Sequence, residues 1–495
     1  MKVREAADLM GAETEGLSAA LFDKEITDFS IDSRSVKAGE LFFALSQEDY
    51  ARAGFNGTFH DGHNYIGGAF ASGAIAAVAR KDRVSGDESL LALKGRLLLV
   101  DDCIAALQTL AHRVYAAWGR RVVGITGSAG KTTAKELTAH LLSAGGLRVL
   151  KSERNYNNGL GLPLSVLRMV SEGCSPAEFD VAVLEMGMSS PTHEIRRLCK
   201  ITPPDIGVEL MIAPVHLEYL GSIENIAAAK AELVEGLKPD GVAILNADDE
   251  WVIKMRDRHA GRTVTFGIEH PADVAAREVD TSHLGLIKFR LQTPLGEAAA
   301  TLPMSGRHNL MNALAAAAVA TCFEISAAQI ADALQTAQPP RMRGEVLDFA
   351  AGFRVVDDSY NSNPRSLVNM VRTITEGGAQ AKRRIVIAGE MLELGPDEAA
   401  LHRQAGNEIG QIGKVGGARV DVLWGVRGLA AEIVAGANEV GLPETRLFQT
   451  SEEAARALVE EVREGDLVLV KGSRGVATDK IVAAVRERFA LASGQ

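Results

Sequence analysis

The sequence predicts an α/β protein of three domains, and three observations carry that reading. A β-branched apolar run, Val122, Val123 and Ile125, passes through the turn Thr126-Gly127-Ser128-Ala129-Gly130 into Lys131, Thr132, Thr133 and a helix-forming stretch. Short apolar strands alternate with helical stretches on both sides of Pro339-Pro340, a pair that breaks the chain. The length, 495 residues, is too great for one hydrophobic core.

Composition narrows the function classes. A net charge of −11 argues against a nucleic-acid partner or an anionic membrane surface, while leaving room for a local basic pocket. The four cysteines, Cys103, Cys174, Cys199 and Cys322, are scattered and lack CxxC spacing, so they read as thiols of a reducing compartment. The acidic stretch MKVREAADLMGAETEG has no apolar centre and does not read as a signal peptide. Runs at 67–79 and 313–320 are Ala- and Gly-rich and far shorter than the ~20 apolar residues of a membrane span. A cytoplasmic protein without membrane insertion is expected.

The first unit is assigned to residues 1–117. It holds the turn-rich stretch Ile31-Asp32-Ser33-Arg34, a strand at 41–45, and a polar loop through Asp49, Asn56 and Asp61-Gly62-His63. A helix-like run at 69–73 leads to strands at 74–79 and 97–100. This is α/β alternation without a phosphate loop. Taken singly, Ser33, Arg34 and His63 read as surface residues.

The second unit spans 118–340. A buried strand turning through glycines into a helix is a phosphate-binding device, because the helix N-terminus and the bare glycine backbone point N–H groups at an anion. Gly127, Ser128, Ala129 and Gly130 would form the cradle, with Thr133 following. Lys131 can reach terminal phosphates and the Thr132 hydroxyl can sit on Mg²⁺. Strands at 147–150, 181–184, 206–208, 242–245 and 263–266 imply a mostly parallel sheet with ligands at its carboxyl ends. Alternating runs such as 286–291 suggest antiparallel strands appended to it, and the alanine-rich helix at 310–322 reads as buried.

The third unit, 341–495, has strands at 353–357, 385–388, 420–424 and 467–470 with helices between, a Rossmann-like pattern. Its short tether makes closure over a shared cleft plausible.

Several polar residues fall where such sheets place ligands. Glu185 tips a strand of the phosphate-loop sheet, a position suited to Mg²⁺, although a strand-end Glu alone is commonly solvated. His216 follows another strand and by itself reads as a loop histidine. Lys230, in Ala-Ala-Ala-Lys-Ala-Glu-Leu, reads on spacing as a solvated helix lysine. Asn157 and Asn158 can orient substrate through their amides or close Asx turns. Asp357-Asp358-Ser359-Tyr360-Asn361-Ser362-Asn363-Pro364 and Lys471-Gly472-Ser473-Arg474 are dense polar clusters after strands. Either one alone is equally a solvated loop. From the residues, the chain is a magnesium-nucleotide enzyme of unstated acceptor.

Over nearly the whole chain these motifs resemble the Mur ligases, the ATP-dependent amide-forming enzymes of peptidoglycan precursor synthesis. The resemblance rests on the Thr126–Thr133 loop, Asn157-Asn158, Glu185, His216, Ala-Lys230-Ala-Glu, Asn246-Ala247-Asp248-Asp249 and Gly306-Arg307-His308-Asn309-Leu310-Met311-Asn312. It is closest to the branch that joins D-alanyl-D-alanine (D-Ala-D-Ala) to UDP-N-acetylmuramoyl-tripeptide (UDP-MurNAc-tripeptide). That finer match rests on the Asp357–Pro364 cluster, on Gly389-Glu390-Met391-Leu392-Glu393-Leu394-Gly395, and on Val470-Lys471-Gly472-Ser473-Arg474.

The resemblance implies an N-terminal UDP-sugar-binding domain, a central P-loop-type ATPase domain and a Rossmann-like ligase domain. It implies that Ser33, Arg34, Asp61 and His63 hold the UDP-sugar. Lys131, Thr132, Glu185, His216 and Lys230 would form the catalytic and metal set, with two Mg²⁺ and with CO₂ carried by Lys230 as a carbamate. Asn309 and Asn312 would lie near the adenine, Asp358 near the ribose, and Arg341 near the nucleotide. Asn157, Asn158, Asn361, Lys471 and Arg474 would face substrate. A monomer is expected. Where relatives often carry Thr-Asn before the histidine motif, this chain has Leu210-Met211. A family rival adding a diamino acid would carry Asp-Tyr-Ala-His in place of Asp358-Ser359-Tyr360-Asn361, and a catalytically dead nucleotide switch would not need intact Lys131, Glu185, His216 and Lys230.

Overall fold

Three sheets succeed one another along the chain in a computed structural model that describes residues 1–55, 57–153, 156–188, 193–214, 217–413 and 418–492. In the first, β1 (Phe29–Ser30), β2 (Leu41–Phe43), β3 (Ala76–Arg80) and β4 (Leu97–Val100) pair in parallel in that order. Strands covered on both faces are largely apolar, and each of the four is buried throughout, with Ser30 and Arg80 the polar residues at strand ends.

The helix Cys103–Trp118 then leads to the second sheet. Asp102 caps its start by accepting from Ala105 N, and Gly119 ends it at φ 65°. Its buried residues run almost all round, because it packs on the first sheet and on the central helices Gly161–Leu167 and Glu194–Ile201. Tyr115 Oη donates to Pro203 O and Trp118 Nε1 to Phe179 O, both at 3.1 Å, so the first unit is tied to the second by directional bonds as well as by shared apolar surface.

The second sheet comprises β5 (Arg121–Thr126), β6 (Val149–Lys151), β7 (Val181–Glu185), β8 (Ile206–Glu209), β9 (Val242–Asn246), β10 (Arg262–Gly267), β11 (Val274–His283), β12 (Leu286–Thr293) and β13 (Gly296–Leu302). Its order is β13-β12-β11-β10-β9-β8-β5-β7-β6. The pairs from β6 to β11 are parallel, and β11, β12 and β13 form the antiparallel extension expected from alternation in the sequence. The chain leaves β5 first toward β6 and β7 and then returns to β8 on its other side. A crevice therefore opens at the carboxyl end of β5. Registers Ile125↔Glu185 and Thr126↔Glu209 put two carboxylates at that edge.

The third sheet has the order β14-β15-β19-β16-β17-β18, with β14 (Glu345–Asp348), β15 (Arg354–Asp358), β16 (Arg383–Gly389), β17 (Val422–Val426), β18 (Glu444–Phe448) and β19 (Asp466–Lys471). Only β14 is antiparallel to its neighbour. The sequence reading omitted β14 and β18. Both are edge strands that carry charges, Glu345 and Asp348 in one, Glu444 and Arg446 in the other, so they lack an apolar signature. Asp357 and Asp358 lie inside β15 rather than after it. Among the described residues no helix is long and apolar enough to cross a membrane.

Candidate active site

The phosphate loop sits where the crevice opens. Gly127 has φ 149° and Gly130 φ 86°, and a Cβ at Gly130 would collide with the Asn312 amide, so this corner demands glycine. Ser128 pins the loop to the segment after β8: its N donates to Met211 O at 2.8 Å, and its Oγ accepts from Ala213 N at 2.9 Å. The helix Lys131–Ala144 starts without a side-chain cap, leaving its first N–H groups for an anion. Ala129, Thr132 and Thr133 line the same space.

Lys131 folds back over the loop and donates from Nζ to Gly127 O at 2.9 Å. Desolvation pulls its ammonium below the ordinary lysine range, so an anion placed here is favoured by an under-solvated cation. Thr132 Oγ1 donates to Glu185 Oε2 at 2.9 Å, and Asn157 Nδ2 donates to Glu185 Oε1 at 2.8 Å. Both oxygens of a carboxylate only 2% exposed are thereby aimed by neutral donors. Asn158 closes a turn, its Oδ1 accepting from Leu160 N and Gly161 N at 3.1 and 2.9 Å.

Lys230 is buried on the helix Ile223–Glu235, not solvated as its spacing alone suggested. That helix packs Leu233 against Gly124 and Gly207, which puts Lys230 one turn nearer the carboxyl ends of β5 and β8. Desolvation, reinforced by the nearby charge of Lys131, pulls its pKa down to about 7. Glu209, at the tip of β8, is fully buried and neither of its oxygens has a partner among the described residues. Desolvation holds its carboxyl well above the usual range. The Thr126 hydroxyl on the paired strand is also buried without a partner among them. His216 lies outside the described residues, and among the described ones no cluster of three or more His, Cys, Asp or Glu could hold a metal ion.

A cavity of about 740 Å³ separates this edge from the carboxyl ends of β15, β16 and β19. Asn309 and Asn312 line it from the helix Arg307–Thr321, where Asn309 Nδ2 donates to Ser305 O at 2.9 Å. His308 lies between them and the third unit, and burial pushes its pKa down. On the far wall Lys471 Nζ donates to Asp358 Oδ2 at 2.6 Å and to Asn361 O at 2.9 Å. Tyr360 receives two guanidinium groups over its ring, Arg343 at 4.2 Å and Arg474 at 5.9 Å. Together with Arg365 these make the local basic pocket that a chain of net charge −11 needs to hold phosphates.

Several expected binding residues lie apart from this cavity. Arg341 is exposed and does not line the cavity, whereas Arg343 does. The turn at Met342, with φ 60°, sends the two side chains apart. His63 is 4% exposed with both ring nitrogens engaged. Its Nε2 accepts from Arg80 N at 2.9 Å and its Nδ1 bonds Asp61 Oδ1 at 2.6 Å. No ring nitrogen is left for a ligand, so this histidine holds Asp61 and the end of β3. Ser33, Arg34 and Asp61 do not line the cavity either, and Arg34 is paired with Asp32 at 2.8 Å. Sequence reasoning missed Glu209, Arg343, Tyr360 and Arg365 as lining or neighbouring groups. Tyr360 stood within a cluster already singled out, but nothing in the spacing chose it.

A phosphate loop facing a second α/β unit across a nucleotide-sized cavity defines an ATP-using enzyme, and comparison with known proteins narrows the class. Residues 125–320 match the Mur ligase middle domain and residues 342–474 match the Mur ligase, glutamate ligase domain. A Bacillus subtilis (strain 168) relative, named UDP-N-acetylmuramoyl-tripeptide–D-alanyl-D-alanine ligase, is 32% identical over 452 residues, 91% of either chain. The chain belongs to the Mur ligase family. Solved structures of MurF superpose over nearly the whole chain. A crystal structure of MurF from Acinetobacter baumannii superposes with a TM-score of 0.81 at 26% identity, covering 98% of this chain and 99% of that one. MurF ligase from Thermotoga maritima in complex with ADP gives 0.75 at 25% identity, covering 93% and 97%.

Proposed function

We propose that the chain is the ATP-dependent, ADP-forming ligase that joins D-Ala-D-Ala to UDP-MurNAc-tripeptide in peptidoglycan precursor synthesis. The observation that carries the reading is the two-sided cavity: a phosphate loop with the Thr132–Glu185 pair on one wall, and the Asp358–Lys471 pair with Tyr360 and its arginines on the other. Residues 1–117 take the sugar nucleotide, 118–340 take ATP, and 341–495 complete the site for the acceptor.

A carboxylate is a poor electrophile, so its oxygen first attacks the γ-phosphorus of ATP and ADP leaves. The amine of the dipeptide then attacks the acyl phosphate carbonyl, and phosphate leaves from the tetrahedral intermediate. The chain's part is to align the reacting groups and neutralise charge. Lys131 and the first N–H groups of its helix hold the terminal phosphates. Arg343, stacked on Tyr360, brings a second cation to that end. Asp358, held by Lys471, accepts from the ribose hydroxyls. Closure of the third unit on the second excludes water, which would otherwise hydrolyse the acyl phosphate.

Thr132 and Glu185 offer hard oxygen donors 2.9 Å apart, the kind Mg²⁺ takes, and His216 is the further ligand in this reading. Bound Mg²⁺ would screen phosphate charge and polarise the transferred phosphoryl group. Lys230 fits as the CO₂ carrier, since only an uncharged amine adds CO₂ and burial holds this one near neutrality at physiological pH. In this reading the enzyme acts in the cytoplasm and as a monomer. Mass analysis of a reaction with ATP, UDP-MurNAc-tripeptide and D-Ala-D-Ala tests the assignment. A UDP-MurNAc-pentapeptide should form only with all three present, and product from UDP-MurNAc-dipeptide plus a free diamino acid would reassign the branch.

A further inference from the structure

The loop Gly389–Gly395 carries Leu392, Glu393 and Leu394 into the cavity, and three successive amides fix its backbone. Glu390 N donates to Val426 O at 3.0 Å, a bond between backbones. Met391 N donates to His402 Nε2 at 2.9 Å, and Leu392 N donates to Ser473 Oγ at 3.0 Å. The Met391 and Leu394 side chains are buried in the core of the third unit, leaving Leu392 37% exposed. Glu393 at φ 64° and Gly395 at φ 74° turn the chain back out of the cavity.

His402, on the helix Glu398–Gln411, is completely buried and does not itself line the cavity. Its Nδ1 donates to Glu398 O at 2.6 Å, which leaves Nε2 as the acceptor that Met391 N requires. A buried imidazole bonded at both nitrogens is a rigid strut between a helix and a loop. The loop lies on the third-unit wall of the cavity. It offers Leu392 to that side of the cavity, an apolar surface suited to the methyl side chains of a small dipeptide.

We propose that His402 is a positioning residue for the amine acceptor. It sets the height of the loop through Met391 and so places the apolar surface that Leu392 presents to the cavity. This rests on the assignment of D-Ala-D-Ala as acceptor. His402→Ala leaves Met391 N without a partner and the loop free to shift, while the phosphate loop is untouched.

The test is steady-state kinetics of His402→Ala and His402→Gln on the full-length enzyme, varying ATP and D-Ala-D-Ala separately. A loosened apolar contact predicts a KM for the dipeptide about tenfold higher in the alanine variant, with the KM for ATP within about twofold of wild type. Glutamine offers an acceptor oxygen and a donor on a similar reach, so it should recover most of that loss. Equal rises in both KM values, or no rise for the dipeptide, would overturn the proposal, as would a glutamine variant no better than alanine. If the alanine chain does not fold, His402→Leu keeps the volume without the acceptor, and the same split is read on it. Wild-type enzyme that fails to use D-Ala-D-Ala at all would instead refute the assigned reaction.

Discussion

Replacing Glu185 with glutamine separates binding chemistry from folding, because the two are expected to respond by very different amounts. Both carboxylate oxygens receive hydrogen bonds from neutral groups, the Thr132 hydroxyl and the Asn157 amide, and the side chain is 2% exposed. Glutamine can keep its carbonyl oxygen toward Asn157, and its amide can donate to a rotated Thr132 hydroxyl. The fold therefore exchanges two charge-assisted bonds for two neutral ones, a loss of about 1–2 kcal/mol, and recovers a similar amount because a charge no longer has to be buried. Net stability should change by no more than about 1 kcal/mol. Turnover should fall far more, since the anionic donor for Mg²⁺ is gone while the shape of the site remains. A loss of about 10³-fold corresponds to about 4 kcal/mol of transition-state stabilisation at 1.36 kcal/mol per decade. Phosphate release at saturating substrates, measured across a Mg²⁺ series, together with thermal unfolding by circular dichroism, reads both quantities. A glutamine variant that keeps more than a tenth of wild-type turnover would refute the assignment of Glu185 to the metal.

Four further outcomes follow from particular contacts. Arg343→Ala should cut kcat/KM for ATP by about 10–100-fold while Arg341→Ala stays within about twofold, a contrast read by nucleotide kinetics on two residues that differ in facing the cavity. Lys230→Ala should abolish turnover, and added bicarbonate should not restore it; robust activity in that variant would contradict the carbamate. Gly130→Ala should raise the KM for ATP and lower stability by about 1–3 kcal/mol, measured by denaturant titration, because φ 86° and the Asn312 amide both oppose a Cβ. His402 is neutral in the fold, with its pKa pushed below 6.5 by burial despite Glu390, Glu398 and Glu432 nearby, so protons bind preferentially to the unfolded chain. Its contribution to stability should therefore be lost as pH falls below about 6.5, and wild type should weaken relative to His402→Gln by up to about 1.4 kcal/mol per pH unit there, as compared by paired urea titrations.

The central site was legible where the chemistry is local in sequence. The strand, glycine turn and helix around Lys131 are contiguous, and the turn admits no residue but glycine at Gly130. Glu185 could be placed because it ends an uninterrupted apolar strand. The far wall was less legible because its side chains are aimed by turns. A residue at positive φ, Met342, decides that Arg343 and not Arg341 reaches the cavity, and no periodicity reports it. The burial of Lys230 could not be read from an alanine-rich helix, since it depends on Gly124 and Gly207 letting that helix sit close to the sheet. His63 carried a plausible binding motif, but only the three-dimensional position of Arg80 N reveals that its second nitrogen is taken. Likewise β14 and β18 are strands by virtue of their neighbours, with Glu345 and Glu444 at positions an isolated strand would not favour.

The account turns on direct phosphorylation of the tripeptide carboxylate in the shared cavity, and oxygen labelling tests that step most directly. UDP-MurNAc-tripeptide carrying ¹⁸O in both oxygens of its reacting carboxylate would be turned over with ATP and D-Ala-D-Ala, and the released phosphate analysed by mass. An acyl phosphate requires one labelled oxygen to leave with each phosphate and one to remain in the new amide. Unlabelled phosphate, with dipeptide joined all the same, would contradict the mechanism and the role given to Lys131 and Glu185.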